Sequence, residues 1–149
     1  VNELGWYILK GDPRWDGDEL WTTMGHLYKG GMWFKKKAYI SGYNKNYAPG
    51  GSDWRATGLG NGANPSETLP SAADASKYFY LPTLGYYQQG RLMFVGQFGH
   101  YWSSSAIGLT PGGAYALSFS RNSVTLVGPV SPTVGMPNRG YAYRVQAFE

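Results

Sequence analysis

The run Gly90-Arg91-Leu92-Met93-Phe94-Val95-Gly96-Gln97-Phe98-Gly99-His100-Tyr101-Trp102-Ser103-Ser104-Ser105, followed by Ala114-Tyr115-Ala116-Leu117-Ser118-Phe119-Ser120, decides the fold. The second piece alternates strictly. Tyr115, Leu117 and Phe119 are predicted to face a core, and Ala116, Ser118 and Ser120 to face solvent, as a half-buried strand requires. In the first piece, spaced glycines and the Tyr-Trp-Ser-Ser-Ser run look architectural. Met93, Phe94, Gln97, Phe98, His100, Ile107 and Leu109 follow no such pattern. A regular frame carrying large, unpatterned residues suggests a surface built for recognition.

Short strand-like segments extend outward from this stretch. They are Leu92 to Val95, Tyr101 to Ser103, Ser123 to Val127 and Tyr141 to Ala147 on the C-terminal side. Upstream they are Trp6 to Leu9, Leu20 to Thr23, Met32 to Phe34, Ala38 to Ile40 and Tyr78 to Leu81, with Pro82 ending the last. Ser71 and Asp74 mark the start of a short helix. Residues 41–70 are rich in Gly, Asn, Ser and Pro and read as a long ordered loop anchored by Tyr43, Tyr47 and Trp54. No long helical period and no internal repeat appears. The expected fold class is α+β, with short, mostly antiparallel strands, one or two short helices and long loops, in one domain over residues 1–149.

The 149 residues can bury a real core. Aromatic residues (17%) outnumber charged ones (15%), which argues against disorder. The abundance of Tyr and Gly also resembles binding surfaces, where Tyr gives large contact area at low entropic cost. The chain has no cysteine, so disulfide and thiolate chemistry are excluded. No apolar run is long enough for a membrane helix. No leader-like segment opens the chain at Val1, so it is expected to be cytoplasmic, virion-borne, or a mature or trimmed form. The net charge of +4 is mild. Lys35-Lys36-Lys37, flanked by Trp33, Phe34 and Tyr39, leaves a nucleic-acid interface as a minor alternative.

Catalytic constellations are sparse. His100 lies near Ser103, Ser104 and Ser105, but no nucleophile elbow is present. Asp12, Asp16, Asp18 and Glu19 could supply paired carboxylates or calcium ligands. Their spacing fits neither a calcium loop nor any other motif, and a polar turn held by Asx hydrogen bonds is the simpler reading. Gly58-Leu59-Gly60-Asn61-Gly62-Ala63 is followed by Asn64-Pro65, which favours a turn over a phosphate-binding loop. No His or Cys set has zinc spacing, so no metal and no cofactor is expected.

The C-terminal elements, taken in order, resemble a known family. Tyr78-Phe79-Tyr80-Leu81-Pro82, the spaced Gly90, Leu92, Val95, Gly96, Gly99 and Tyr101 to Ser105, then Ala114, Tyr115, Leu117 and Phe119, then Arg139, Gly140, Arg144 and Val145 are similar to the Fibrobacter succinogenes major paralogous domain. They resemble in particular the variable proteins of diversity-generating retroelements, over about residues 76–147. The resemblance implies a C-type lectin-like fold of the formylglycine-generating-enzyme-like branch. It also implies an exposed C-terminal ligand-binding face, about residues 90–147, whose residues are rewritten by the retroelement. Carried onto this sequence, the rewritten positions are Met93, Phe94, Gln97, Phe98, His100, Ala116, Ser118, Ser120, Asn122 and Thr125, and with the unpatterned Ile107 and Leu109 they make up the expected ligand-binding site. The formylglycine-generating activity needs cysteines that this chain lacks. Met136-Pro137-Asn138 only faintly echoes a lectin calcium motif.

The expected function is therefore non-enzymatic ligand binding of receptor or adhesin type. The partner would be a protein or glycan on a target cell surface, and the setting a bacterial surface or a phage tail tip, with oligomerisation possible. A carboxylate-based hydrolase of surface glycans and a nucleic-acid-binding module are the alternatives.

Overall fold

The structure, a computed structural model, describes residues 1–57, 62–88, 90–106 and 114–128; of residues 57, 105, 106 and 114 only the backbone is described. The chain forms a small α+β fold of mostly antiparallel strands with two short helices.

Helix α1 (Asn2–Lys10) opens the chain. Leu4, Tyr7 and Ile8 recur at three- and four-residue spacing and are buried, which is the helical period. The expected strand at Trp6 to Leu9 is thus corrected: the aromatic, β-branched content of four residues suits a strand, but with Val1 and Leu4 the same residues form a helical stripe. Ala38 to Ile40 is corrected likewise, since Lys37–Tyr39 forms a 3-10 turn. Gly11 ends α1, its N–H donating to the Tyr7 carbonyl at 3.2 Å.

Strands β1 (Arg14–Thr23), β2 (His26–Lys35) and β3 (Tyr78–Pro82) form one antiparallel sheet in that order. Pro82 is the last residue paired with β2, as expected. The hairpin turn at Met24 and Gly25 has positive φ at both residues, 47° and 76°, the geometry a tight two-residue connection needs. Beyond β3 the β1–β2 ribbon projects and leaves Leu20, Met24 and Leu27 exposed. The acidic segment at 16–19 is a bulge inside β1 and not a turn. Asp16 opposes Gly31 and Leu20 opposes Lys29, so three residues of β1 face Gly30 alone.

Residues 41–57 carry a single helical turn, α2 (Trp54–Thr57). Trp54 is buried and Tyr43 packs against the core. The Tyr47 ring is half exposed, and this residue anchors the loop through its carbonyl, which accepts the Trp6 indole N–H at 2.7 Å. The short helix expected from Ser71 and Asp74 is a single 3-10 turn, Ala75–Lys77, with Asp74 at its N-terminal cap position.

The C-terminal half contributes a hairpin of β4 (Tyr86–Gln88) and β5 (Arg91–Met93). A second three-stranded sheet, β6 (Gly99–Ala106), β7 (Ala114–Ser120) and β8 (Ser123–Val127), follows. The bounds of β7 and β8 are those expected from the sequence, Ala114–Ser120 from its alternation and Ser123–Val127 as a strand-like segment. A core cluster joins the two sheets and α1. Phe34 of β2 meets Phe119 of β7 edge-on, with centroids 5.8 Å apart, and α1 packs against β8. The Tyr101 hydroxyl ties β6 to β3 by donating to the Pro82 carbonyl at 2.6 Å. The expected strand at Tyr141 to Ala147, and Arg139, Gly140, Arg144 and Val145, lie outside the described residues. Among the described residues no helix is long and apolar enough to cross a membrane.

Candidate functional site

The β6–β8 sheet has two unlike faces, and cross-strand register assigns each residue to one of them. Gly99, Phe119 and Val124 form one row, and Tyr101, Leu117 and Leu126 the next. All six are buried. The intervening rows, His100–Ser118–Thr125 and Trp102–Ala116–Val127, lie on the opposite face because side chains alternate along a strand. Ser120 and Ser123 extend that face, their hydroxyls 3.2 Å apart. Ser118, Ser120 and Thr125 are partly exposed, and Asn122 in the β7–β8 turn is fully so.

Ala116 departs from the expected pattern. It has solvent-side parity yet is 1% exposed. It sits on the central strand between Trp102 and Val127, and a methyl flanked by two larger neighbours is covered. Strand parity sets the direction of a side chain, and the neighbours set its exposure. Trp102, which the sequence reading places with the fold-holding residues, shares this outer face.

The other site residues come from the turn that leads into β6. The Phe94 carbonyl accepts the N–H groups of Gln97 and Phe98, both at 3.1 Å. Two further bonds pin this turn to the end of β3: Gly96 N–H donates to the Thr83 carbonyl and Gly85 N–H to the Phe98 carbonyl, each at 2.8 Å. The geometry directs Phe94, Phe98 and His100 into one aromatic cluster with Tyr86. Phe94 lies 5.6 Å from both Tyr86 and Phe98, and His100 meets Tyr86 edge-on at 5.0 Å. Phe94 is 41% exposed and Gln97 is exposed, while Met93, Phe98 and His100 are half buried. Phe94 holds φ at +57°, a left-handed conformation that costs an ordinary side chain about 1–2 kcal/mol. Tyr86 was missed by sequence reasoning. Gly85 and Gly90 bracketing Tyr86-Tyr87-Gln88 are the signal that reveals the β4–β5 hairpin. Its neighbour Tyr87 reaches back to the projecting ribbon, with its hydroxyl 3.2 Å from the Met24 sulfur. Ile107 and Leu109 lie outside the described residues.

Burial among these rings lowers the His100 pKa to about 4. The imidazole stays neutral in the folded protein while an unfolded chain takes up a proton near pH 6.5. Folding stability is therefore lost as pH falls from 6.5 towards 4 and is fully present above 6.5. With the exposed part of the ring discounted for solvent, this amounts to about 1–2 kcal/mol. Urea unfolding at pH 7.5 and 4.5 tests it, because His100→Gln should narrow the gap between the two stabilities by that amount. An unchanged gap would show that His100 does not titrate abnormally.

The residues of the alternative readings are dispersed. Asp12 forms a bidentate pair with Arg14 at 2.8 and 2.9 Å and accepts the Tyr78 hydroxyl at 2.6 Å. Burial raises its pKa, but the Arg14 and Tyr78 hydrogen bonds outweigh this and hold it below the usual carboxylate value. Asp16 is buried and staples the bulge, accepting the N–H groups of Asp18 and Glu19 and, at 3.0 Å, the Trp33 indole. Asp18 is exposed beside Lys29. Among the described residues no three metal-ligating side chains converge. Of the lysine run, Lys35 lies 3.9 Å from Asp12 and Lys37 3.5 Å from Glu3, so neighbouring carboxylates offset part of its charge.

Comparison of the chain with protein-family models, with curated proteins and with solved structures finds no match.

Proposed function

We propose that the chain is a non-enzymatic ligand-binding protein of receptor or adhesin type. In this reading the fold is C-type lectin-like, of the formylglycine-generating-enzyme-like branch, and a retroelement diversifies its C-terminal face. The ligand is a protein or glycan on a target cell surface, and the protein acts from a bacterial surface or a phage tail tip. The observation that carries the proposal is the division of labour within one sheet. One face of β6–β8 is buried throughout and apolar, with Gly99 opposite Phe119. The other, with the Phe94 turn beside it, holds small polar residues and an aromatic cluster partly open to solvent, next to the apolar row Trp102–Ala116–Val127. Substitution on that second face changes what is presented without touching what folds. Phe94 and Phe98 would anchor a partner, and Gln97, Ser118, Ser120, Asn122 and Thr125 would form an adaptable polar rim.

A display library tests this. Codons for Phe94, Gln97, Ser118, Ser120, Asn122 and Thr125 are randomised together, and a control library randomises Tyr101, Leu117, Phe119 and Val124. Most members of the first library should fold, with thermal midpoints within about 3 °C of the parent for single changes. Binders to unrelated proteins should be selectable from it, and the control should be mostly unfolded. Equal losses in the two libraries would sink the proposal. Phe94→Asn is an informative single change, because Asn tolerates positive φ. It should fold at least as stably as the parent while lacking the exposed ring. A near-copy of the coding region for residues 90–147, differing at adenines and lying beside a reverse-transcriptase gene, is the expected genomic signature.

A further inference from the structure

A second site lies apart from the aromatic cluster. The β1 bulge forms one wall of a groove of about 360 Å³, and the β7–β8 turn together with the loop at Glu67 forms the other; Trp15, Asp16, Asp18, Lys29, Glu67 and Arg121 line it. The loop is held there by backbone bonds. Trp15 N–H donates to the Ser66 carbonyl at 2.8 Å and Ser66 N–H to the Pro13 carbonyl at 3.0 Å.

Two features mark this groove. The first is Trp15. Trp6, Trp21 and Trp33 each give their indole N–H to a protein oxygen. Trp15, like Trp54, gives its own to none among the described residues, but the Trp15 ring lines an open groove at the core margin. Gly17 stands beside that nitrogen, and a Cβ there would lie 3.3 Å from Nε1, so the missing side chain leaves the indole edge uncovered. The second is the alternation of donors and acceptors along the walls. On one side Lys29 pairs with Asp18 at 3.3 Å. On the other the Arg121 guanidinium meets Glu67 through Nε and one terminal nitrogen, at 2.7 and 3.0 Å. A planar guanidinium–carboxylate fork and a lysine–carboxylate pair beside an indole offer donors and acceptors that match a polyol. Each sugar hydroxyl both donates and accepts, and the C–H face of a pyranose can lie on an aromatic ring. An amine ligand only donates and would face Lys29 and Arg121; a carboxylate or phosphate only accepts and would face Asp18 and Glu67.

We infer that this groove is a binding subsite for a neutral saccharide, separate from the Phe94 aromatic cluster and sharing only the β7–β8 turn with the face proposed above. Trp15 supplies the platform and the indole donor, and the Arg121–Glu67 and Lys29–Asp18 pairs supply the polar walls.

Saturation-transfer NMR on the full chain tests the inference. The probes are the methyl glycosides of glucose, galactose, mannose and N-acetylglucosamine and their β-1,4-linked disaccharides. Transfer to at least one saccharide is expected, with affinity reduced at least about tenfold in Arg121→Ala, an exposed change that leaves the fold intact. Trp15→Phe, which keeps a ring but removes the donor, should weaken binding less than Trp15→Ala. No transfer to any probe overturns the proposal, as does transfer that Arg121→Ala leaves unchanged. Saccharide binding that disappears in Phe94→Asn but survives Arg121→Ala also overturns it and moves the sugar to the β6–β8 face. Binding of lysine methyl ester in preference to every saccharide would replace the polyol with an amine.

Discussion

Gly99→Val should be among the most destabilising single changes in the protein, costing at least about 3 kcal/mol. Gly99 opens β6 and lies directly opposite Phe119 on β7, and the Phe119 ring occupies the space a side chain at 99 would need. The ring has nowhere to go. Phe119 is 1% exposed, stacks on Tyr101 at 5.9 Å and meets Phe34 of the other sheet. Displacing it disturbs both sheets at once. Overpacking a tight core usually costs about 1–3 kcal/mol, and a branched residue at this contact should reach or exceed the upper end. Domains of this size have only about 5–15 kcal/mol in hand. Gly99→Ala should fold but with a thermal midpoint lowered by about 6–10 °C. The decisive measurement is a double-mutant cycle with Phe119→Leu. If the clash is with the ring, the pair should be less destabilising than the sum of its parts by at least about 1 kcal/mol. Simple additivity would mean that Gly99 matters for some other reason.

That glycine belongs to the spaced pattern from which the fold class was read, and its role shows where legibility ends. The β7 alternation is visible because it repeats over seven residues and because a strand's two faces differ in polarity; β8 is legible as a strand-like segment. The buried Tyr115, Leu117 and Phe119 needed nothing beyond that. Ala116 defeats the same argument, since its cover comes from strands on either side that are not adjacent in sequence. Trp6 to Leu9 was misread because four residues span barely one helical turn, too few for the period to show. The segment at 16–19 looks like a turn in sequence because Asp and Gly favour both turns and bulges. Only the β2 pairing shows that the strand continues past it. In the candidate site, Phe94, Phe98 and His100 were legible as departures from a regular frame. Their convergence on Tyr86 was not, because it depends on two backbone bonds from Gly85 and Gly96 to partners that sequence does not announce.

Asn2→Ala should destabilise the protein about as strongly as the loss of a large core side chain, although Asn2 looks unremarkable near the start of the chain. It is 2% exposed and bonds two separate parts of the long loop, at Asn46 and at Asp53-Trp54. Its amide nitrogen donates to the Asn46 carbonyl at 2.6 Å and to Asp53 Oδ1 at 3.0 Å; its carbonyl oxygen accepts the Trp54 N–H at 2.8 Å. Those contacts seat Trp54 on Gly5, where a Cβ would come within 2.8 Å of the indole ring. One side chain thus fixes both the loop and the tryptophan that closes the core over α1. Alanine leaves a buried N–H and a carbonyl without partners, at about 1–3 kcal/mol each. A total near 3–4 kcal/mol corresponds to a midpoint shift of about 8–14 °C. Asn2→Asp separates the causes, because it keeps the acceptor for Trp54 but places a second carboxylate 3.0 Å from Asp53. It should be at least as destabilising as alanine at pH 7 and should recover part of the loss at pH 4, where protonation relieves the repulsion. Two pH-independent variants of equal stability would indicate that the loop is held by Trp54 packing alone. Since α1 lies against β8, the same variants report whether the N-terminal clamp supports the sheet that carries the candidate binding face. If it does, loss of the Asn2 bonds should lower protection of the β8 amides from hydrogen exchange along with those of α1.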